Sequence, residues 1–233
     1  MYLFISGNMI IQISVRIYYK LFLLLLTFGI ISFAPSGIYP IEDFSQPLED
    51  TWRGRFKNFK EVYKIHDEQG NKFLQASSTE SANFIIRKVD VNIVEYPFFN
   101  WRWRANKLPV GGDESVKQHC DVSASIALVL SKSRVFPKSI KYSWSTTLPE
   151  ETYTKSPFAI WPARCDIHVM QSGDTDISQW VTEKVNVLDD YKRFYNKEKV
   201  KSKKIRAIVI LTDSDNTGSP SKADYDDFYF SKE

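Results

Sequence analysis

The strongest constraint on the fold is a recurrence of short blocks in which apolar and polar residues alternate, with many β-branched and aromatic residues. This period of two is typical of β-strands that bury one face. The blocks are VYKIHD, KFLQASS, NFIIRKV, FFNWRWRA, DVSASIALVL, SIKYSWST, CDIHVMQS, QWVTEKVNV, IRAIVILTD and YDDFYF. Helical patterns do not alternate with them, so the sequence predicts an all-β, antiparallel β-sandwich, most like a jelly roll.

One folded domain with few helices is expected. The 233 residues, 43% of them hydrophobic and 15% aromatic, suffice for one sizeable core. The segment VLDDYKRFY, residues 187–195, predicts a helix, because acids occupy its first turn and its apolar residues form one stripe. The loop DEQGN, residues 67–71, predicts a hairpin in which Gly70 supplies a positive φ. We therefore expect one or two short helices beside the strands.

The N-terminus has the layout of an export signal. Arg16 and Lys20 precede the apolar run LFLLLLTFGIISFA, residues 21–34. Residues 1–15 are also fairly apolar, so an uncleaved membrane anchor is the alternative, and both predict an N-terminal hydrophobic helix. The predicted organisation is a signal or anchor over residues 1–36, a Pro-, Gly- and Ser-rich linker over 37–47 and a β-sandwich over 48–233.

The charge distribution excludes a typical nucleic-acid-binding protein. The chain has 31 Lys and Arg against 28 Asp and Glu, a net charge of +3, and the basic residues are interspersed rather than striped. The cationic run KEKVKSKKIR, residues 197–206, is interpreted as a solvated approach to the next strand. Membrane contact is expected only through the N-terminal segment.

Alternation predicts a polar face shared by several strands. In the stretch WRWR, Trp101 and Trp103 point to one face and Arg102 and Arg104 to the other. The two tryptophans fill the core or, alternatively, form a stacking platform for a sugar ring. If the strands are neighbours, a continuous polar surface forms that can hold ligand hydroxyl or carboxylate groups; otherwise it is an ordinary solvated face. Its members would be Arg102, Arg104, Asp121, Ser123, Lys141 and Ser143.

The acidic loop that begins TDSDNTG, residues 212–218, has the ligand spacing of a calcium loop. Asp213, Asp215, Thr217 and Asp224 occupy its first, third, fifth and twelfth positions, with Gly218 sixth. Strand-like flanks exclude an EF-hand, which leaves a calcium loop of a β-sandwich or a simple polar turn. A structural calcium is the only cofactor that the sequence suggests.

No catalytic residue set stands out in the sequence. If the last strand is regular, either Asp226 or Asp227 points inward and needs a cationic partner. These acids, with Asp213 or Asp215, could form the two-carboxylate pair of a glycosidase. Cys120 and Cys165 form either a disulfide in an oxidising compartment or two small buried thiols.

Four stretches together resemble the bacterial family known as domain of unknown function 3047. They are WRWRANKLPVGGDES (101–115), IKYSWS (140–145), DISQWVTEKVNVLDDYKRFY (176–195) and LTDSDNTGSPSKADYDDFYF (211–230). This resemblance implies an exported bacterial protein, periplasmic or anchored to the membrane, without an assigned activity. The closing loop and strand are also similar to galactose-binding-like jelly rolls, which implies carbohydrate binding.

We therefore predict an exported, non-catalytic domain that binds a glycan or a similar polyhydroxylated ligand of the bacterial envelope. The alternatives are a glycoside-type hydrolase that uses the loop carboxylates and an envelope protein with only protein partners. The predicted ligand-binding residues are Arg102, Arg104, Asp121, Trp144, Trp180, Asp213, Asp215 and Asn216.

Overall fold

A computed structural model of the protein describes residues 37–133 and 135–233, and the predicted export segment lies outside them. Gly37–Glu233 form one compact unit. None of the helices in the described ranges is long and apolar enough to span a membrane.

The first sheet has six strands. Its order is β11-β6-β13-β4-β3, and β1 pairs with β13 beside β4. All of these pairings are antiparallel. The strands are β1 (Ile38–Glu42), β3 (Tyr63–Glu68), β4 (Asn71–Ser78), β6 (Phe98–Lys107), β11 (Val181–Asn186) and β13 (Ser221–Ser231).

The second sheet has seven strands in the order β2-β5-β12-β7-β8-β10-β9. One pairing differs from the prediction, since β10 runs parallel to β8. A parallel neighbour needs a long connection, which residues 146–163 supply around the short strand β9. The strands are β2 (Arg53–Gly54), β5 (Ala82–Asn92), β7 (Ala124–Val129), β8 (Lys138–Ser145), β9 (Tyr153–Lys155), β10 (Arg164–Ser172) and β12 (Lys204–Asp213).

Helices are short, as predicted. The described residues form α1 (Leu48–Thr51), α2 (Phe59–Val62), α3 (Val187–Tyr195) and a 3-10 turn at Lys117–His119. The helix prediction is confirmed over its full length: the Asn186 side chain caps α3 by accepting from the Asp189 N–H, and Asn196 ends it in a left-handed conformation. The predicted hairpin is also confirmed, because β3 pairs with β4 and Gln69 and Gly70 both have positive φ.

The two sheets pack face to face around an aromatic core. Trp101 and Trp103 lie in this core, as the first of the two interpretations predicts, and their rings meet edge to face at 5.3 Å. Trp101 contacts Tyr142 of the opposite sheet at 5.5 Å between ring centroids. The predicted all-β sandwich with short helices is therefore confirmed.

Residues 37–47, predicted as a linker, belong to the folded unit. They contain β1, whose Ile38 to Glu42 pair with β13, and Ile41 and Phe44 are buried in the core. Pro40 fits an edge strand, where a missing N–H costs no ladder bond. The Pro- and Gly-rich composition therefore marks a sheet edge rather than a linker.

A bulge in β13 answers the question of which neighbouring acid points inward. The register of β13 against β6 shifts between Asp226 and Tyr229, and Asp227 has a φ of 55°. This extra residue lets Asp226 pair with Arg102 on the outer face while Phe228 returns to the core. Neither carboxylate is therefore buried between the sheets.

Candidate functional site

The predicted continuous polar surface is divided between the two sheets. Arg102 and Arg104 lie on β6 of the first sheet, whereas Lys141 lies on β8 of the second and Asp121 immediately precedes β7. β6 is a neighbour of neither β7 nor β8, and the core separates the outer faces of the two sheets. The prediction of one shared surface is therefore wrong, because alternation fixes the face of a side chain but not the sheet to which its strand belongs.

The arginines on the first sheet are held by acids of the same sheet. Arg102 Nη2 lies 2.5 Å from Asp226 Oδ2, and Arg104 Nε lies 2.6 Å from Asp224 Oδ2. Both guanidinium groups also lie 4.7 Å from the centroid of the Trp180 ring. The arginines and the half-buried Trp180 therefore form a network in which each positive charge is paired within the first sheet, although Arg102 also lines a separate cavity of about 550 Å³ beside β1.

Trp144 cannot be the stacking surface that was predicted. Its ring is buried in the core, 6.1 Å from that of Trp103, and its Nε1 donates to the Gly173 carbonyl. This position follows from the alternation of β8, which places Trp144 on the same face as Ile140 and Tyr142.

An open cavity of about 520 Å³ lies on the outer face of the second sheet. Alternate residues of β5, β12 and β7 give it an apolar floor that includes Phe84, Val209 and Ala127. Phe158, which is 50% exposed, comes from the loop between β9 and β10. The polar lining residues include Arg55, Ser125, Lys141, Asp213, Asp215 and Asn216.

Lys141 is a buried cation of this cavity. Its strand position turns it away from the core, and Glu114 and Cys120 of the segment before β7 lie close enough to act on its charge. Burial opposes the charged form, but the groups around it, Cys120 and Glu114 first, raise the pKa of the Lys141 ammonium. The net shift therefore favours the charged ammonium form of Lys141.

Asp213 and Asp215 form a carboxyl pair that also lines this cavity. Asp213 ends β12, is 7% exposed, and has one carboxyl oxygen without a hydrogen-bond partner among the described residues. Burial first, and then the hydrogen bond and charge of Asp215, raise the pKa of Asp213 to about 8. The Asp213 carboxyl is therefore mostly protonated at neutral pH.

Asp121 stabilises the loop that carries this pair. Its two carboxylate oxygens accept four hydrogen bonds: from the backbone and side-chain N–H groups of Asn216 and from the N–H and hydroxyl of Thr217. Burial opposes the charged form of Asp121, but the hydrogen bonds from Thr217 and Asn216 outweigh it and lower its pKa. Asp121 therefore positions the loop, and Asn216 donates a further hydrogen bond to Asp215 at 2.8 Å.

The ligand set predicted for calcium is only partly brought together. One oxygen each of Asp121, Asp213 and Asp215 lies within 4.8 Å of the others. The Thr217 hydroxyl donates to Asp121, and Asp224 lies on the first sheet against Arg104. Asp224 is thus displaced because β13 crosses to the other sheet, and calcium binding at the remaining acids stays a prediction.

The two cysteines meet in the cavity as free thiols. Cys120 and Cys165 both line it, and the structure contains no bond between them. Burial raises the pKa of the Cys120 thiol to about 11, so this thiol is protonated and a poor nucleophile at neutral pH.

Sequence reasoning missed several residues of the cavity. Arg55 and Phe158 lie in segments without a recognisable motif, and Phe84 was predicted only as part of a strand. The stretch SPFAIWPA, residues 156–163, is the one segment whose sequence indicates the site, since four apolar residues between two prolines are typical of an exposed loop.

Comparisons with known proteins identify a family. The sequence model of the family described as protein of unknown function, DUF3047, matches residues 50–229 and confirms the resemblance. No curated protein matches the chain.

Similar solved structures are distant. The xyloglucanase domain of NopAA, a type three effector from Sinorhizobium fredii in complex with cellobiose, is 9% identical with a TM-score of 0.43, over 83% of this chain and 98% of that one. Endoglucanase 3 of Trichoderma harzianum is 8% identical with a TM-score of 0.42, over 72% and 80%. The Endo-D glycoside hydrolase domain of Streptococcus pneumoniae R6 is 6% identical with a TM-score of 0.36, over 78% of this chain and only 21% of that one. Values this low carry no inference about ligand or reaction.

Proposed function

The chain belongs to DUF3047, a family of proteins of unknown function, and we propose that its folded part is an exported domain that binds a glycan without altering it. The observation that carries this proposal is the convergence of an exposed aromatic ring, Phe158, with charged and amide side chains in one open cavity. Its volume, about 520 Å³, lies within the range of roughly 300 to 1,000 Å³ that is usual for small-ligand sites.

The chemistry of the cavity suits a sugar ring. A pyranose has an apolar face of C–H groups, which pack against aromatic rings, and a rim of hydroxyl groups, which need donors and acceptors. Phe158 and Phe84 supply the apolar contact, while Arg55 and Asp215 supply a donor and an acceptor. The export of the domain is proposed from the basic and apolar N-terminal sequence alone.

The spacing of the acids favours binding over hydrolysis. One carboxyl oxygen of Asp213 lies within 4.8 Å of a carboxyl oxygen of Asp215. A retaining glycosidase holds its two carboxyl groups about 5 to 5.5 Å apart with the scissile bond between them, and an inverting enzyme holds them farther apart. The pairing of Asp226 or Asp227 with Asp213 that the sequence suggested is also not formed, because β13 and β12 belong to different sheets, and this supports binding over hydrolysis.

A glycan array probed with the full chain tests the proposal. Phe158→Ala should weaken binding of any hit by roughly 10-fold or more, since burying a phenylalanine is worth about 1.5 to 3 kcal/mol. Phe136→Ala is the matched control, because Phe136 is 47% exposed on a different loop and does not line the cavity. Equal losses in the two variants would place the binding elsewhere.

Incubation of each hit with the protein then separates binding from catalysis. Recovery of the intact glycan supports the proposal, whereas release of a shorter product would support the hydrolase alternative. An array without signal, together with a stoichiometric protein partner in a pull-down, would favour the interaction protein.

A further inference from the structure

Two loops at one end of the sandwich expose apolar side chains among basic residues. They are SKSRVFPK, residues 131–138, and KSPFAIWPAR, residues 155–164, and neither contains an Asp or a Glu. Trp161 is 89% exposed, Ile160 77% and Val135 75%. Exposed apolar residues that cluster in this way are typical of an interaction surface rather than of scattered surface positions.

The two loops are joined to each other. The Arg164 N–H donates to the Pro137 carbonyl at 2.9 Å, where the parallel strands β8 and β10 begin side by side. Between the loops lies a hollow of about 300 Å³ that is lined by Lys138, Lys155 and Trp161. Cationic and apolar groups are therefore presented together.

The positive charge at this end is only partly neutralised. Asp166 pairs with Arg164 at 2.5 Å, and Asp90 pairs with Lys204 and Arg206 at 2.7 and 2.6 Å. None of the ion pairs in the described ranges includes Lys138 or Lys155.

The cationic run 197–206 adds to this potential. Burial and then the charges of Lys138 and Arg206 lower the pKa of Lys203, which shows that these cations lie close enough to repel one another. The run therefore borders the same end of the sandwich rather than an isolated stretch of solvated surface.

The combination of exposed apolar side chains with lysines that are unpaired within the described ranges indicates what kind of surface these loops bind. Aliphatic tips such as Ile160 and Val135 have no role in stacking on a sugar, and a nucleic acid offers no apolar phase for them. An anionic bilayer offers both an interface that favours tryptophan and phosphates that attract lysine. We propose that these loops dock on an anionic lipid surface, with Trp161 and Ile160 at the level of the headgroups and Lys138 and Lys155 facing lipid phosphates.

Tryptophan fluorescence tests the docking in the full chain. All six tryptophans follow residue 51, so the apolar N-terminal segment adds no signal. The chain is mixed with vesicles of phosphatidylcholine alone or with phosphatidylglycerol, each containing brominated acyl chains that quench nearby indoles. The difference in emission between the wild type and Trp161→Phe isolates Trp161.

Quenching of Trp161 is expected in the phosphatidylglycerol vesicles and is expected to fall as salt is raised. Replacement of both Lys138 and Lys155 by Gln should lower the docking constant about 30-fold, from roughly 1 kcal/mol for each basic residue near an anionic surface. The matched control replaces Lys57 and Lys64, exposed lysines of other segments, by Gln and should change little.

The contribution of the apolar side chains to docking is tested separately, with its own control variant. Ile160→Ser should reduce quenching, whereas Val110→Ser, at a position that is 79% exposed on another loop, should not. Equal quenching in both vesicle types, or no effect of the lysine replacements, would overturn the proposal. Concentration-dependent self-association without lipid that Ile160→Ser abolishes would assign the surface to a second copy of the chain instead.

Discussion

Asp213 should make the folded protein less stable as the pH rises from 5 to 8. Its pKa is raised to about 8 in the fold, whereas an unfolded aspartate has a pKa of about 3.9. The folded state therefore binds more protons than the unfolded state between these values, and the free energy of unfolding falls with increasing pH. The slope approaches 1.4 kcal/mol per pH unit, which amounts to on the order of 3 kcal/mol between pH 5 and 8.

Asp213→Asn removes this dependence, because the amide has the shape of the protonated carboxyl and does not titrate. Urea unfolding followed by tryptophan emission at pH 5, 6, 7 and 8 measures the free energy for both proteins. We expect the difference in free energy of unfolding between the variant and the wild type to grow with pH, until the variant is more stable by a few kcal/mol at pH 8. Asp215→Asn should keep most of the wild-type slope, since burial is the largest cause of the shift and remains in place.

Parallel curves for the wild type and Asp213→Asn would refute the reasoning. They would mean that Asp213 is ionised throughout this range, either because water reaches its unpartnered oxygen or because Lys141 neutralises it. The Asp213 carboxyl would then not hold a proton at neutral pH.

Three further outcomes are expected. Calcium at millimolar concentration should raise the melting temperature at pH 8.5 but not at pH 6, where it competes with the proton of Asp213, and Asp215→Asn should abolish the effect in differential scanning fluorimetry. Burial lowers the pKa of His168, but the hydrogen bond and charge of Asp190 and then Glu151 raise it more, so its net pKa lies above 6.5. Its contribution to stability is thus present below pH 6.5 and is lost as the pH rises through the folded pKa, and His168→Gln should destabilise more at pH 6 than at pH 8.5 in urea unfolding. Gly112→Ala should lower the free energy of unfolding by about 1 to 3 kcal/mol in the same assay, because a Cβ at this position would lie 2.8 Å from the Asp121 carbonyl oxygen. An unchanged urea midpoint would show that the loop moves to accommodate the added methyl group.

Local periodicity predicted most strands and the face of each side chain. The tryptophans of WRWR, the helix at 187–195 and the hairpin at Gly70 follow from interactions within a few residues. The strands that it missed have other causes: β1 contains a proline, β2 has only two residues and β9 only three. Such edge strands depend on their neighbours rather than on their own sequence.

The site was harder to predict, because it depends on which strands lie side by side. Asp213 and Asp215 were found from their spacing alone, and Asp121 joins them because β7 pairs with β12. Arg102 and Arg104 were assigned to the same surface, yet pairing with β13 carries them to the opposite side of the molecule. Long-range pairing of this kind leaves no trace in the alternation of one strand.

The parallel alignment of β8 and β10 has a consequence for evolution. Because the chain must travel back along the sheet before β10 can begin, residues 146–163 need a minimum length, but apart from β9 and contacts such as those of Thr146 and Thr147, few of their side chains are fixed by the sheet. This connection can change in sequence or become longer while the strand pairings of β8 and β10 stay the same. Differences in binding specificity between related proteins are thus expected to arise first in this connection, while the β-sandwich itself stays the same.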